Sequence, residues 1–172
     1  RETYVCAAGI SPSGPVHIGN FREVVTTYFV ARALQDLGKD VRFLFSWDDY
    51  DRFRKVPADV DQAFTRYIGM PYNAVPAPDR SDMSYATYFE QQFETMLTAF
   101  EITPDYRYQH EAYTSGTYAE QIIHAFRHRH AIYDILIEHK TAAGSDAERA
   151  AFYPATVYCA ACGTDATTID SF

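Results

Sequence analysis

The stretch Gly9-Ile-Ser-Pro-Ser-Gly-Pro-Val16 sets two glycines and two prolines between a short run of strand formers and a long run with helical spacing, and few folds accept that order. Thr3-Tyr-Val-Cys-Ala-Ala8 is brief and apolar, as a buried strand requires. From Ile18 the apolar residues Phe21, Val24, Val25, Tyr28, Phe29, Leu34 and Leu37 recur with the period of a helix. Gly9, Pro12, Gly14 and Pro15 stop either neighbour from extending, and the two glycines let a ligand approach the backbone closely. A helix that begins near His17 would offer free N–H groups and a positive dipole end to the loop, which suits phosphate. Gly38 ends that helix, and Val41-Arg-Phe-Leu-Phe-Ser-Trp47 returns as a second strand before Asp48 and Asp49. The unit is βαβ, so the loop after Ala8 and the acidic turn after Trp47 should face one crevice at the strand ends. His17, Asn20 and Glu23, each three residues from the next, would line it. A plainer reading has His17 capping the helix through local hydrogen bonds.

Beyond Val56 the alternation of strand and helix breaks, and Pro57, Pro71, Pro76 and Pro78 punctuate a loop-rich passage to Asp82. Ser84 is placed to cap a helix carrying Tyr85, Tyr88, Phe89, Phe93, Met96, Leu97 and Phe100 on one face. Asp105-Tyr-Arg-Tyr-Gln-His110 alternates as a strand, and a longer helix is predicted from Thr117 to Lys140. His124 and His128 have a spacing that can hold a metal, but no acidic or cysteine partner stands beside them, and they read as surface histidines. Cys159-x-x-Cys162-Gly163 is better placed, since two thiolates on a tight turn make half of a tetrahedral zinc site. A free thiol pair or a disulfide are the alternatives.

Composition narrows the classes further. A formal charge of −8 argues against broad nucleic-acid binding, which rests on neutralising phosphates with Lys and Arg. The basic clusters Arg52-Phe-Arg54-Lys55 and Arg127-His-Arg129 read as solvated or salt-bridged faces. No apolar run reaches the roughly 18 residues of a membrane span, and no secretory leader is evident. Three cysteines without a disulfide pattern suit a reducing compartment, and a cytoplasmic location is expected. Fourteen tyrosines and twelve phenylalanines imply heavily aromatic packing.

The string from Gly9 to Glu23 resembles the signature of class I aminoacyl-tRNA synthetases, in which His17-Ile-Gly-Asn20 is similar to the HIGH motif with Asn20 in place of the last His. It is most similar to the class I, archaeal-type lysyl-tRNA synthetases, which carry that Asn variant followed by Arg-Glu. Ser46-Trp-Asp-Asp-Tyr-Asp-Arg-Phe-Arg-Lys-Val-Pro57, Ser84-Tyr-Ala86, Thr114-Ser-Gly-Thr-Tyr118 and Cys159-Ala-Ala-Cys-Gly163 agree with the same family, so ordered matches run from Gly9 to Gly163.

The resemblance implies an α/β fold, a Rossmann-like parallel sheet with a helical insertion and a Cys-x-x-Cys knuckle. Residues 1–56 would form the first half of the nucleotide-binding domain, and residues 57–172 the remainder of that half with the connective insertion. It also implies ATP-dependent activation of lysine to lysyl-adenylate and transfer to tRNA(Lys). His17 and Asn20 would be catalytic, and Pro12, Ser13, Gly14, His17, Gly19 and Asn20 would hold ATP. Gly9, Ser11, Glu23 and Asp49 would contact the amino acid, and magnesium would accompany ATP. Cys159 and Cys162 would bind zinc with a second pair of ligands past Phe172. The family's KMSKS signature does not occur before Phe172. The expectation is therefore an amino-terminal portion, weakly active alone, whose partner is the remaining C-terminal part of the same enzyme. Two alternatives are another HIGH-type nucleotidyltransferase and a non-catalytic, synthetase-like binding module.

Overall fold

The computed structural model describes residues 2–79, 82–141 and 144–172. Strand β1 (Thr3–Ile10), helix α1 (Ile18–Asp36) and strand β2 (Asp40–Trp47) form the expected βαβ unit. The Asp105 segment is the third strand, β3 (Asp105–Tyr108), parallel to β2 on the side away from β1. Ile10 pairs with Trp47, and Trp47 pairs with Tyr108, so the three strands stop on one line. The loops that follow them leave from one rim, where ligands of parallel sheets bind.

Gly38, at φ +72°, lets the chain turn out of α1 while its N–H donates to Gln35 O at 2.8 Å and that of Lys39 to Leu34 O at 3.0 Å. The helix buries fewer residues than its apolar spacing suggests. Val24 and Ala31 are its buried positions, whereas Phe29 and Leu37 are 65% and 73% exposed.

Helix α2 (Tyr85–Ala99) begins at Ser84, whose Oγ accepts from Thr87 N at 3.0 Å, and it serves two cores. Its later turns give Phe93 and Leu97 to the sheet core, against Phe45 and Trp47 of β2 and Val24 of α1. Its first turns give Tyr85, Ala86 and Phe89 to a second core with Phe53, Val60, Tyr72 and Val75. Each such large apolar side chain contributes about 1.5–3 kcal/mol when fully buried. One helix thereby fastens the proline-rich passage to the sheet. Glu94 of α2 adds a polar tie, accepting from Trp47 Nε1 at 2.8 Å and from the Tyr108 hydroxyl at 2.9 Å.

The predicted helix from Thr117 to Lys140 is two helices, α4 (Ala119–Arg127) and α5 (Arg129–Glu138), after a short α3 (Gln109–Thr114). The break falls at His128, whose Nδ1 lies 3.0 Å from His124 O and whose ring stacks on that of His124 at 4.4 Å. A side chain bonded to the preceding turn competes with regular helix geometry, and His128 sits at φ −104°, ψ 15°. Helix α6 (Asp146–Ala151) is held to α5 by an Arg149–Asp134 ion pair at 2.6 Å. Arg129 supports it by donating to the carbonyls of Ala150 and Phe152 at 2.7 and 2.8 Å. Among the described residues, no helix is long and apolar enough to cross a membrane.

Candidate active site

His17 is the N-cap of α1. Its Nδ1 accepts from Gly19 N at 3.1 Å, and Asn20 Oδ1 accepts in return from His17 N at 3.3 Å. A Cβ on Gly19 would stand 2.9 Å from His17 Cε1 and 3.0 Å from Nδ1, so glycine there lets the imidazole lie over the helix end. The plainer, capping reading of His17 is thus correct, and it also sets the chemistry. With Nδ1 accepting, the neutral ring carries its proton on Nε2, where it can donate to an anion.

The loop before His17 is pinned from beneath. Pro12 is fully buried, Ser13 N donates to Ser11 O at 2.8 Å, and the buried Tyr85 hydroxyl donates to Ser13 O at 3.2 Å. Burial holds the Tyr85 phenol protonated well above its ordinary range, so the hydroxyl remains a donor. A Cβ on Gly14 would meet Pro57 Cγ at 3.6 Å, an ordinary contact, so packing does not require glycine there. Gly9 differs. A Cβ on it would stand 2.9 Å from Ser46 O, and close packing of β1 on β2 accounts for that residue.

At the ends of β2 and β3 the structure separates two adjacent acids. Asp49 is fully buried, with Oδ1 accepting from His110 N at 2.7 Å and Oδ2 paired with His110 Nδ1. The strand register explains the meeting, since Trp47 pairs with Tyr108 and each chain then advances two residues. Asp49 caps the first turn of α3 from the neighbouring strand, with both oxygens committed to His110. Its backbone oxygen accepts from Asn73 N at 3.0 Å, which draws in the second core as well.

Asp48 is the exposed carboxylate of that turn. It lines a cavity of about 570 Å³ with Tyr50, Gln109, Tyr113, Gln121 and Phe126. Partial burial, followed by the nearby Asp51, raises its pKa above the ordinary carboxylate value. Gln109 Nε2 donates to Ser46 Oγ at 2.6 Å, which orients that amide at the cavity wall, and the rings of Tyr50 and Tyr113 stack at 5.4 Å. Beneath this rim Glu90 of α2 is buried, with Oε1 unpartnered. Burial first, and then the charges of Asp49, Glu94 and Glu111, push Glu90 up to about 8.

The structure therefore brings His17 and Asn20 into one cap and sets Ser11, Ser13 and Gly14 in the loop that leads to it. Glu23 stands exposed on α1 and is not part of the cavity wall. His110 and Glu90 escape the sequence reading, whereas Asp48 stands in it within the acidic turn expected to face the crevice, behind Asp49.

Cys159 and Cys162 lie on a tight turn in which Gly163, at φ +74°, donates to Cys159 O at 2.8 Å. Ala161 N approaches Cys159 Sγ at 3.4 Å, and Cys162 Sγ lies 3.2 Å from Thr164 Oγ1, whose hydrogen bonding lowers the Cys162 pKa. Among the described residues no group of three metal-ligating side chains forms, so a complete zinc site is not assembled from them. The basic clusters are largely committed internally, with Arg52 on Asp165 at 3.3 Å, Arg54 on Asp51 at 3.1 Å and Arg129 on the carbonyls named above.

A parallel sheet whose rim gathers a histidine-capped helix start, a pinned glycine loop and an open acidic cavity defines an α/β protein of the Rossmann-like class. The chain belongs to the tRNA synthetases class I (K), whose family model matches residues 1–172. It is similar to the lysine–tRNA ligase of Treponema pallidum, 43% identical over 99% of this chain and 32% of that protein. It is also similar to the lysine–tRNA ligases of Pyrococcus horikoshii, at 45% identity over 92% of this chain and 30% of the relative, and of Streptomyces coelicolor, at 38% over 98% and 34%. The chain spans about a third of the length of the curated relatives it matches.

Proposed function

We propose that residues 1–172 are the amino-terminal, nucleotide-binding part of an enzyme that activates lysine with ATP and passes the lysyl group to tRNA(Lys). The observation that carries this reading is the His17 cap. It spends Nδ1 on the helix and leaves Nε2–H as a donor beside a loop held open by buried Pro12 and Tyr85. On this reading His17 and the Asn20 amide donate to ATP phosphate, and the backbone of Pro12, Ser13, Gly14 and Gly19 lies along the nucleotide. Gly9 and Ser11 flank the amino acid.

The lysine carboxylate attacks the α-phosphorus of ATP. The new O–P bond forms as the bond to pyrophosphate breaks, and lysyl-adenylate remains. The protein supplies alignment and stabilises the charge in transfer. An ammonium entering this rim loses water and needs a carboxylate. Asp48 offers one at the cavity wall, and Glu23 is the second acid. Magnesium arrives with ATP, whose phosphate oxygens supply much of its coordination. Cys159 and Cys162 hold zinc together with ligands from outside these residues.

Further parts complete the enzyme. Among the described residues β1 pairs on one side only, and Val5 on that strand is 60% exposed, with Phe29 and Val30 of α1 also open. A long, apolar edge strand of this kind calls for a covering partner, here the remaining C-terminal part, which also supplies the KMSKS lysines. The acidic charge and the internally paired arginines support a reading in which most tRNA contacts come from that part too. The three free thiols suit a cytoplasmic enzyme. Lysine-dependent exchange of pyrophosphate into ATP by the complete gene product tests the reading. Exchange driven by lysine is expected. Exchange driven by another amino acid, or by none, would overturn it.

A further inference from the structure

Two imidazoles at this rim are held in opposite tautomers. His17 Nδ1 accepts from a backbone N–H, so its Nε2 is the protonated, donating nitrogen. His110 Nδ1 faces Asp49 Oδ2, and a carboxylate only accepts, so a neutral ring here carries its proton on Nδ1 and keeps the lone pair on Nε2. The second Asp49 oxygen binds the backbone N–H of the same residue, which fixes the ring and its main chain together. Asp49 is fully buried while the His110 side chain is 31% exposed, so the pair runs from the interior to the surface. Gln109, its neighbour, lines the same cavity as Asp48.

A donating imidazole suits phosphate. An accepting one repels phosphate and suits a group that must shed a proton. Activation offers no such group, because the attacking lysine carboxylate is already ionised. Transfer does, since a ribose hydroxyl becomes the nucleophile. Resting on the function proposed above, we propose that His110 Nε2 accepts the proton of a terminal ribose hydroxyl during aminoacyl transfer, with Asp49 as its positioning residue. The ribose oxygen bonds to the lysyl carbonyl carbon. The bond from that carbon to the adenylate phosphate oxygen breaks, AMP leaves with the electron pair, and the hydroxyl proton passes to Nε2. Asp49 then faces an imidazolium, which its charge stabilises.

Two measurements test this. In the complete enzyme, His110→Asn keeps a donor toward Asp49 but has no atom at the Nε2 position. Lysine-dependent exchange should stay within about threefold, while single-turnover transfer from preformed adenylate falls about 100-fold. Unchanged transfer, or equal losses in both steps, would overturn the role. Ring ¹⁵N shifts of the complete enzyme near neutral pH should show His110 protonated on Nδ1 and His17 on Nε2. An imidazolium or an Nε2–H tautomer at His110 would overturn it too, whatever the fate of the variant. Wild-type enzyme that shows no lysine-dependent exchange fails the function first and this role with it, whereas intact exchange with unaltered transfer fails the role alone.

Discussion

His17 finds its partners within three residues, at Gly19 and Asn20, whereas Asp49 meets His110 at a separation of 61 residues. Both imidazoles end on one rim, yet the first is set by a local cap and the second by the register of two strands. A local cap forms with its helix and is lost at the cost of one hydrogen bond. A buried pair that joins β2, α3 and the second core should matter to the whole fold, and removing one partner strands the other.

That contrast can be broken in order of size. Asp49→Ala leaves the His110 N–H and ring without their acceptor, and urea unfolding should show a loss of about 3 kcal/mol. Glu90 sharpens the same side. Its pKa rises from 4.5 to about 8 in the folded chain, so between those values the folded state holds a proton that the unfolded state releases. Wild-type stability should therefore fall as pH rises from about 4.5 to about 8 and level off above. Glu90→Gln should flatten that slope, with an advantage over wild type that grows steadily across the window. On the local side His17→Ala should cost about 1 kcal/mol in the same unfolding assay, the usual worth of a cap. Tyr85→Phe removes the bond to Ser13 O and should cost about 0.5–1 kcal/mol, with weaker ATP binding read by calorimetry. Equal losses for His17→Ala and Asp49→Ala would erase the distinction between the two regions.

The same distinction sets what the sequence discloses. The β1-α1-β2 unit and the Ser84 cap are visible because glycine stops, capping residues and hydrophobic period act over a few residues. The site at His17 belongs to that class. The alternation of residues 105–108 shows a strand, although its place beside β2 comes only from the pairing. The choice between Asp48 and Asp49 depends on which of them meets α3, and nothing near residue 49 announces His110. Phe29 and Leu37 carry helical spacing but stay exposed, because the period identifies a stripe and not what covers it. The break at His128 depends on a side chain turning back to the carbonyl of His124, a local event that hydrophobic period does not register.

The account rests on the loop at the end of β1 as the seat of the ATP phosphates. A crystal structure of the complete enzyme with a non-hydrolysable ATP analogue tests it most directly. The expected result has phosphate oxygens within hydrogen-bond distance of His17 Nε2 and of the amides around Ser13 and Gly14, with the His17–Gly19 cap intact. Nucleotide bound away from that loop, with His17 Nε2 turned to a protein acceptor, would contradict it.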